Sequence, residues 1–342
     1  MEQNAQPKPI DFSTTADRID TAKRIVITTH ARADGDAIGC VTAFQRVLRS
    51  RQKEAVAYVH EPVPERYRFL PDVETLREWR PEQVANALSK ADLLVLLDTC
   101  AASQLGDVQE TIQTASLAKL AVDHHVTRDP IVDEILLDER AGACAQIITQ
   151  LCDRANWPID KLTATLLYCG LATDTGWFRF SNADHEAFNT AARLIQGGAK
   201  PNELYEKLYL NDSEPRLRLI GAVLSSVELL ADGRLAVVRI TRHMLEKCGA
   251  TDKMTEEIIN EPQRIGSVNA CVLFMEPGDD GPIRISFRSK HQVDVAAIAR
   301  RFGGGGHARA AGAKMRGPLD AAYQQVVPAM IQAIESEKDD SK

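Results

Sequence analysis

Three apolar runs in the first half of the chain break off in the same way. "IVITT" stops at His30, "LLVLL" at Asp98, and "LAV" at Asp123, His124 and His125. Runs of aliphatic and β-branched residues without polar alternation need cover on both faces, which is the pattern of strands in a parallel sheet flanked by helices. The chain is thereby constrained to alternate strand and helix. The ends of the runs must also line up along one edge of the sheet, where open α/β folds bind ligands. Strands are expected at 24–29, 55–59, 92–97, 117–122 and 135–137, with helices at 36–49, 81–90, 143–154 and 162–172. The fold class is α/β, with a mainly parallel, doubly wound sheet in the N-terminal domain.

The pattern turns helical after about residue 182, through "HEAFNTAARLIQGGAKP" and "NDSEPRLRLIGAVLSSVELL". Asn211, Asp212 or Ser213 would cap the second of these helices. Strands at 235–240, 268–274, 283–287 and 310–315, a helix near 293–301 and a last amphipathic helix predict a smaller C-terminal α/β domain. The expected division is a disordered lead at 1–22, a catalytic domain at 23–190, a helical linker at 191–230, a substrate domain at 231–336 and a solvated tail at 337–342. A chain of 342 residues is comfortable for two cores. No stretch approaches the roughly 18 apolar residues of a membrane span. The first residues lack the basic start and apolar core of a secretory signal. Seven scattered cysteines with no CxxC pair fit reduced thiols and a cytoplasmic location.

Reading past each strand collects metal-type ligands. The first strand yields His30, Asp34 and Asp36; the third, Asp98; the fourth, Asp123, His124 and His125. The helix ending "GLATDTGWF" adds Asp174. An acid pair after a strand is by itself commonly a helix cap, and a lone strand-end Asp is weaker still. Two adjacent imidazoles beside a carboxylate have little structural use, and four such motifs in this order point to one site. So many acids repel one another unless cations neutralise them. The mixed His and Asp set suits Mn²⁺, Mg²⁺, Fe²⁺ or Zn²⁺, and its lack of Cys disfavours a structural zinc site. The number of carboxylates favours two ions, about 3.5–4 Å apart, over one. His60, His243 and His291 match no motif, and Cys40 and Cys100 read as packing residues.

The net charge of −7 argues against a binder of duplex DNA or other long nucleic acid. Yet residues 283–317 carry eight Lys or Arg against one acid, Asp294. A basic pocket in an acidic protein fits a small anion. Within it, Gly303 to Gly306 lack side chains, so backbone N–H groups could approach an anion closely; a flexible turn is the alternative. His307 and Arg309 directly after the glycines, with Arg288 on a nearby strand, favour the anion.

These motifs resemble those of the DHH/DHHA1 phosphoesterases, through Asp123-His124-His125, the preceding and following ligand motifs, "FRSK" and "GGGGHARAAG". The resemblance covers nearly the whole chain and is nearest to the nanoRNase/pAp-phosphatase group. It implies two domains with an active-site cleft between them. One divalent ion would be held by His30, Asp34 and Asp98, the other by Asp36, Asp98, His124 and Asp174, with Mn²⁺ as the family's metal. His125 would face the substrate phosphate and Asp123 would orient the histidines. Arg288, Lys290, Gly304, Gly305, Gly306, His307 and Arg309 would bind substrate. The implied activity is hydrolysis of very short single-stranded RNA to nucleoside 5′-monophosphates, together with removal of phosphate from 3′-phosphoadenosine 5′-phosphate (pAp). Hydrolysis of linear dinucleotides such as pApA or pGpG is an alternative, and a catalytically silent nucleotide-binding regulator is one of another class. No membrane partner is expected, and a homodimer stays open.

Overall fold

The computed structural model describes residues 6–277, 281–290 and 293–339, with side chains except at His307 and 337–339. The chain forms two compact units that divide between Asn211 and Asp212. In the first, β1 (Lys8–Pro9), β2 (Arg24–Thr28), β3 (Glu54–Val59), β4 (Arg77–Glu78), β5 (Leu93–Leu97), β6 (Ala118–Asp123) and β7 (Glu134–Leu137) make one sheet. Its order is β1-β7-β6-β5-β2-β3-β4, and every pairing is parallel. Helices α1 (Phe12–Thr21), α2 (Gly35–Ser50), α3 (Pro81–Leu88), α4 (Gln109–Thr114), α5 (Cys144–Arg154), α6 (Lys161–Asp174), α7 (His185–Gln196) and α8 (Pro201–Tyr209) complete the unit.

The unbroken apolar runs have a direct explanation. Ile25, Ile27, Leu93, Val95, Leu97, Leu120 and Val122 belong to the core beneath α1, α2, α5 and α6. Their alternates Val26, Leu94, Leu96 and Ala121 enter a second core with Val84, Leu88 and Ile112 of α3 and α4. Both faces are covered, so neither can be polar. From β2 the chain runs outward to β3 and β4, then returns to lay β5 on the other side of β2. That reversal makes the β2/β5 boundary the topological switch point, where the strand ends leave a crevice.

Helices α2 and α6 pack closely against each other through glycine. A Cβ on Gly39 would stand 2.6 Å from the Leu166 carbonyl oxygen, and one on Gly170 2.5 Å from Asp36 Oδ1; one on Gly35 would overlap Thr173 Oγ1. The acids that begin α2 and end α6 are thereby drawn together.

The second unit holds α9 (Glu214–Ser225), β8 (Glu228–Leu230), β9 (Leu235–Ile240), α10 (Arg242–Cys248), β10 (Ala270–Met275), β11 (Ile283–Ser289), α11 (Val295–Arg301), β12 (Gly305–His307), β13 (Ala310–Met315) and α12 (Leu319–Asp339). Its sheet runs β12-β13-β11-β10-β9-β8, with β9 and β10 parallel and the other pairs antiparallel. One face packs on α11 and α12. Ala236, Val238, Cys271 and Leu273 on the other pack on α9, α10 and the 3₁₀ segment Ile258–Arg264. Ser213 caps α9, accepting from the Arg216 amide.

Two expectations need correction. The lead is ordered from residue 6: β1 pairs with β7, Asp11 caps α1, and Ile19 is fully buried. A short strand whose partner lies about 125 residues away carries no local signal of its own. Residues 337–339, expected in the tail, belong to α12, which continues through Asp339. Residues 1–5 and 340–342 of these two segments lie outside the described residues, as does His291. The segment expected as a linker, 191–230, contains the end of α7, α8 and α9, and the division between units falls inside it. Among the described residues, no helix is long and apolar enough to cross a membrane.

Gly39→Ala should destabilise the protein by about 1–3 kcal/mol, the usual cost of forcing extra volume into a close-packed contact. Urea unfolding checks this. A loss below about 0.5 kcal/mol would mean that α2 and α6 have slack between them.

Candidate metal centre

Every side chain gathered from the strand ends lies at the switch point. His30 follows β2. Asp34 caps α2, its Oδ1 accepting from the amides of Asp36 at 3.0 Å and Ala37 at 3.1 Å. Asp36, in the first turn of α2, is buried, and its carboxylate accepts from the α5 amides of Cys144 at 2.6 Å and Ala145 at 3.1 Å. The Cys40 thiol donates to the same group at 3.2 Å. Asp98 directly follows β5, with a left-handed φ of 63° and 2% exposure. Asp123 ends β6, His124 and His125 follow it directly, and Asp174 ends α6.

The ligand-type atoms form clusters in which each lies within 4.8 Å of the others: His30, Asp34 and Asp98; Asp36, His124 and Asp174; and Asp98, His124 and His125. His30 Nε2 is 3.5 Å from Asp98 Oδ2, while His124 Nε2 is 3.4 Å from Asp98 Oδ1 and 3.4 Å from Asp174 Oδ2. Donors about 2.1 Å from a common ion stand about 3–3.4 Å apart, so these spacings suit a cation. The tautomers agree. His30 Nδ1 is bonded to the Ala31 carbonyl at 2.8 Å and His124 Nδ1 to the Ala141 carbonyl at 3.0 Å. Each Nδ1 must then carry a proton, so it is Nε2 that faces the acids and that a cation could take in place of a second proton. His124 Nε2 and Asp98 Oδ1 are buried without a hydrogen-bond partner. Asp98 thus presents one oxygen to each of two different imidazoles. The donors present fit divalent cations.

His125 differs from the other two. Its Nδ1 meets Asp123 Oδ1 at 2.8 Å, and that same oxygen accepts from the His124 and His125 amides. With Nδ1 engaged, the half-exposed ring offers its Nε2 outward. This bond is the main cause raising the His125 pKa above its ordinary value, against the opposing effect of burial.

The electrostatics show what the cluster lacks. Burial, then the charge of Asp98, pushes Asp174 up to about 7 and Asp36 well above the carboxylate range. Asp34 moves the same way, opposed by the charge of His30 and by the amides of Ala37 and Asp36. Burial works against charge on His30 and His124, yet contact with Asp98 outweighs it and holds them at about 9 and about 10. Asp98, which burial alone would raise, is held by those imidazoles at about 2. Without cations, protons supply the missing positive charge; divalent ions would displace them. His60, beside Thr28, joins none of the ligand clusters, and burial, with the charge of His30, drives it down to about 4.

Just beyond Asp174 the backbone is strained. Gly176, Trp177 and Phe178 all take left-handed φ, of 57°, 59° and 60°, at a cost of about 1–2 kcal/mol for each non-glycine residue.

In the second unit, the register sets Arg288, Ala310 and His307 in one row across β11, β13 and β12. The glycine segment is therefore partly an edge strand. A Cβ on Gly304 would overlap the Gly312 carbonyl oxygen, and one on Gly306 would come 2.5 Å from that of Ala310, whereas Gly305 faces open space. Half-buried Arg288 donates to the Phe287 carbonyl at 2.9 Å, Lys290 to that of Ile265 at 2.7 Å, and exposed Arg309 to that of Val293 at 3.4 Å. The side chain of His307 lies outside the described residues.

Sequence reasoning missed Gly35, Gly39 and Gly170 and the backbone groups that fix the ligands. The "GDAIG" spacing at the start of α2 was the available signal for the first two.

Comparison with known proteins agrees with this geometry. Residues 24–171 match the DHH family, N-terminal domain, and residues 232–338 the DHHA1 domain. The bifunctional oligoribonuclease and PAP phosphatase NrnA of Thermus thermophilus is 33% identical over 307 residues, 90% of this chain and 89% of that protein. Its namesake from Bacillus subtilis is 30% identical over 298 residues, 85% and 89% of the two chains. The crystal structure of an exopolyphosphatase-related protein from Bacteroides fragilis superposes with a TM-score of 0.88 at 25% identity, covering 96% of both chains. With both domains matched in order and such identity over most of its length, the chain belongs to the DHH family of phosphoesterases that carry a DHHA1 domain.

Proposed function

We propose that this protein is a metal-dependent phosphoesterase that hydrolyses very short oligoribonucleotides to nucleoside 5′-monophosphates and removes phosphate from pAp. The observation that carries this reading is the arrangement about Asp98. One buried carboxylate faces the Nε2 atoms of two imidazoles on its two oxygens, in a chain whose relatives bear the name bifunctional oligoribonuclease and PAP phosphatase.

In this reading His30, Asp34 and Asp98 hold one divalent ion, and Asp36, Asp98, His124 and Asp174 the other. Mn²⁺ is the proposed metal, with Mg²⁺ or another divalent cation able to fit the same donors. Bound there, the pair would activate a water and neutralise the phosphoryl oxygens. As water adds to phosphorus and the bond to the leaving oxygen breaks, charge develops on oxygen. His125, as the imidazolium that Asp123 favours by holding its Nδ1 proton, would donate to that oxygen from Nε2. In the second unit Arg288, Lys290, His307, Arg309 and the backbone of Gly304 to Gly306 grip a substrate phosphate. Arginine suits that task through its paired donors.

Turnover of an RNA series from two to twenty nucleotides, beside pAp, tests the reading. The shortest RNAs and pAp should be consumed, chelation should abolish both activities, and added Mn²⁺ should restore them. Asp98→Asn should lower kcat by at least about a hundredfold, since it removes the charge shared by both ions. Undiminished turnover in excess chelator would contradict the reading.

The role of Asp123 has its own test. In metal-free protein, Asp123→Asn removes the main cause of the raised His125 pKa, so that pKa should fall. The imidazolium of His125 should then be lost at lower pH than in wild type, as followed by NMR of the ring. An unmoved titration would mean that Asp123 does not tune this histidine.

A further inference from the structure

Asn182 stands eight residues beyond Asp174, at the close of the strained turn. A run of left-handed residues that includes two aromatics persists only where surrounding contacts over-determine it. Several such contacts are present. The amides of Arg179 and Phe180 both donate to the Thr175 carbonyl at 3.1 Å, and the Phe180 ring lies against the bare Cα of Gly176. Asn182 Nδ2 then reaches two carbonyls, that of Gly142 at 3.0 Å and that of Asp174 at 3.3 Å. The main chain of Asn182 rests on the same spot: a Cβ on Gly142 would stand 2.8 Å from the Asn182 carbonyl oxygen.

The two carbonyls belong to the two segments that present neighbouring ligand atoms. One is that of Asp174 itself. The other is next in the chain to Ala141, whose carbonyl is bonded to His124 Nδ1 at 3.0 Å and so sets the direction of the ring. The amide of Asn182 therefore ties the backbone that aims His124 to the backbone that carries Asp174. Their ligand atoms face each other at 3.4 Å. Two carbonyl acceptors also dictate which end of the amide faces them. Aspartate, whose ionised side chain only accepts, cannot make these bonds.

We propose that Asn182 is a positioning residue that locks His124 and Asp174 into one half of the metal centre, with the left-handed turn as the frame that delivers it. The inference rests on the metal-centre reading above and adds to it a residue outside the ligand set. Partners that orient metal ligands contribute about 10–100-fold to affinity when they are lost. Here that loss should fall on the ion held by Asp36, His124 and Asp174, and spare the ion held by His30 and Asp34.

The test is a titration of metal-free protein with Mn²⁺, in which the unbound ion is counted by electron paramagnetic resonance. Wild type should take up two ions. Asn182→Asp and Asn182→Ala should each retain one ion at wild-type affinity and bind the other about 10–100-fold more weakly. Should Asn182→Asp fail to fold, with a negative charge set against two carbonyls, Asn182→Ala, which only removes the amide, carries the same test. Both ions held at wild-type affinity in a folded variant would overturn the proposal, and so would equal weakening of both. A wild-type protein that takes up no Mn²⁺ would instead overturn the metal-centre reading.

Discussion

Four carboxylates and two imidazoles gathered at the ends of β2, β5, β6 and α6 cannot all keep their ordinary charges in so small a space. The rest of the first unit answers that constraint. Asp98 is at its centre, buried, at a left-handed backbone position, and in contact with a different imidazole on each oxygen. In the proposed reading, an ion on either side of it would relieve the repulsion that raises the pKa of Asp36 and Asp174. The charge problem and the phosphoester chemistry thus have the same solution, because cations that neutralise the acids also neutralise a phosphoryl group.

The architecture holds this arrangement from several directions. The reversal of strand order leaves the crevice. Glycine on both α2 and α6 brings Asp36 and Asp174 within reach of one ion. The N-terminal amides of α5 hold the Asp36 carboxylate, where the helix dipole favours negative charge. Carbonyls of Ala31 and Ala141 set the tautomers of His30 and His124. None of these groups is a ligand, yet each determines where a ligand atom stands.

Much of this is legible in the amino-acid sequence because it is local. An apolar run that stops at an acid declares both a buried strand and the residue at its end, so β2, β5 and β6 and their ligands could be placed together. What escaped depends on distant partners. The order of residues 6–22 comes from pairing with β7 and burial of Ile19, and nothing in "KPIDF" announces it. The glycine run, followed by His307 and Arg309, reads as an anion nest more than as a turn. Its part as an edge strand follows from β13, whose Gly312 and Ala310 carbonyls leave no room for a Cβ at Gly304 or Gly306. Asn182 carries no motif at all; its meaning lies in two carbonyls, one of them 40 residues away in sequence.

The most direct test of the central claim is crystallographic. Diffraction from Mn²⁺-loaded crystals, collected to reveal anomalous scatterers, should show two peaks about 3.5–4 Å apart. One should touch His30 and Asp34, the other Asp36, His124 and Asp174, with Asp98 in contact with both. A single peak, or two peaks that leave Asp98 bound to only one of them, would contradict the account.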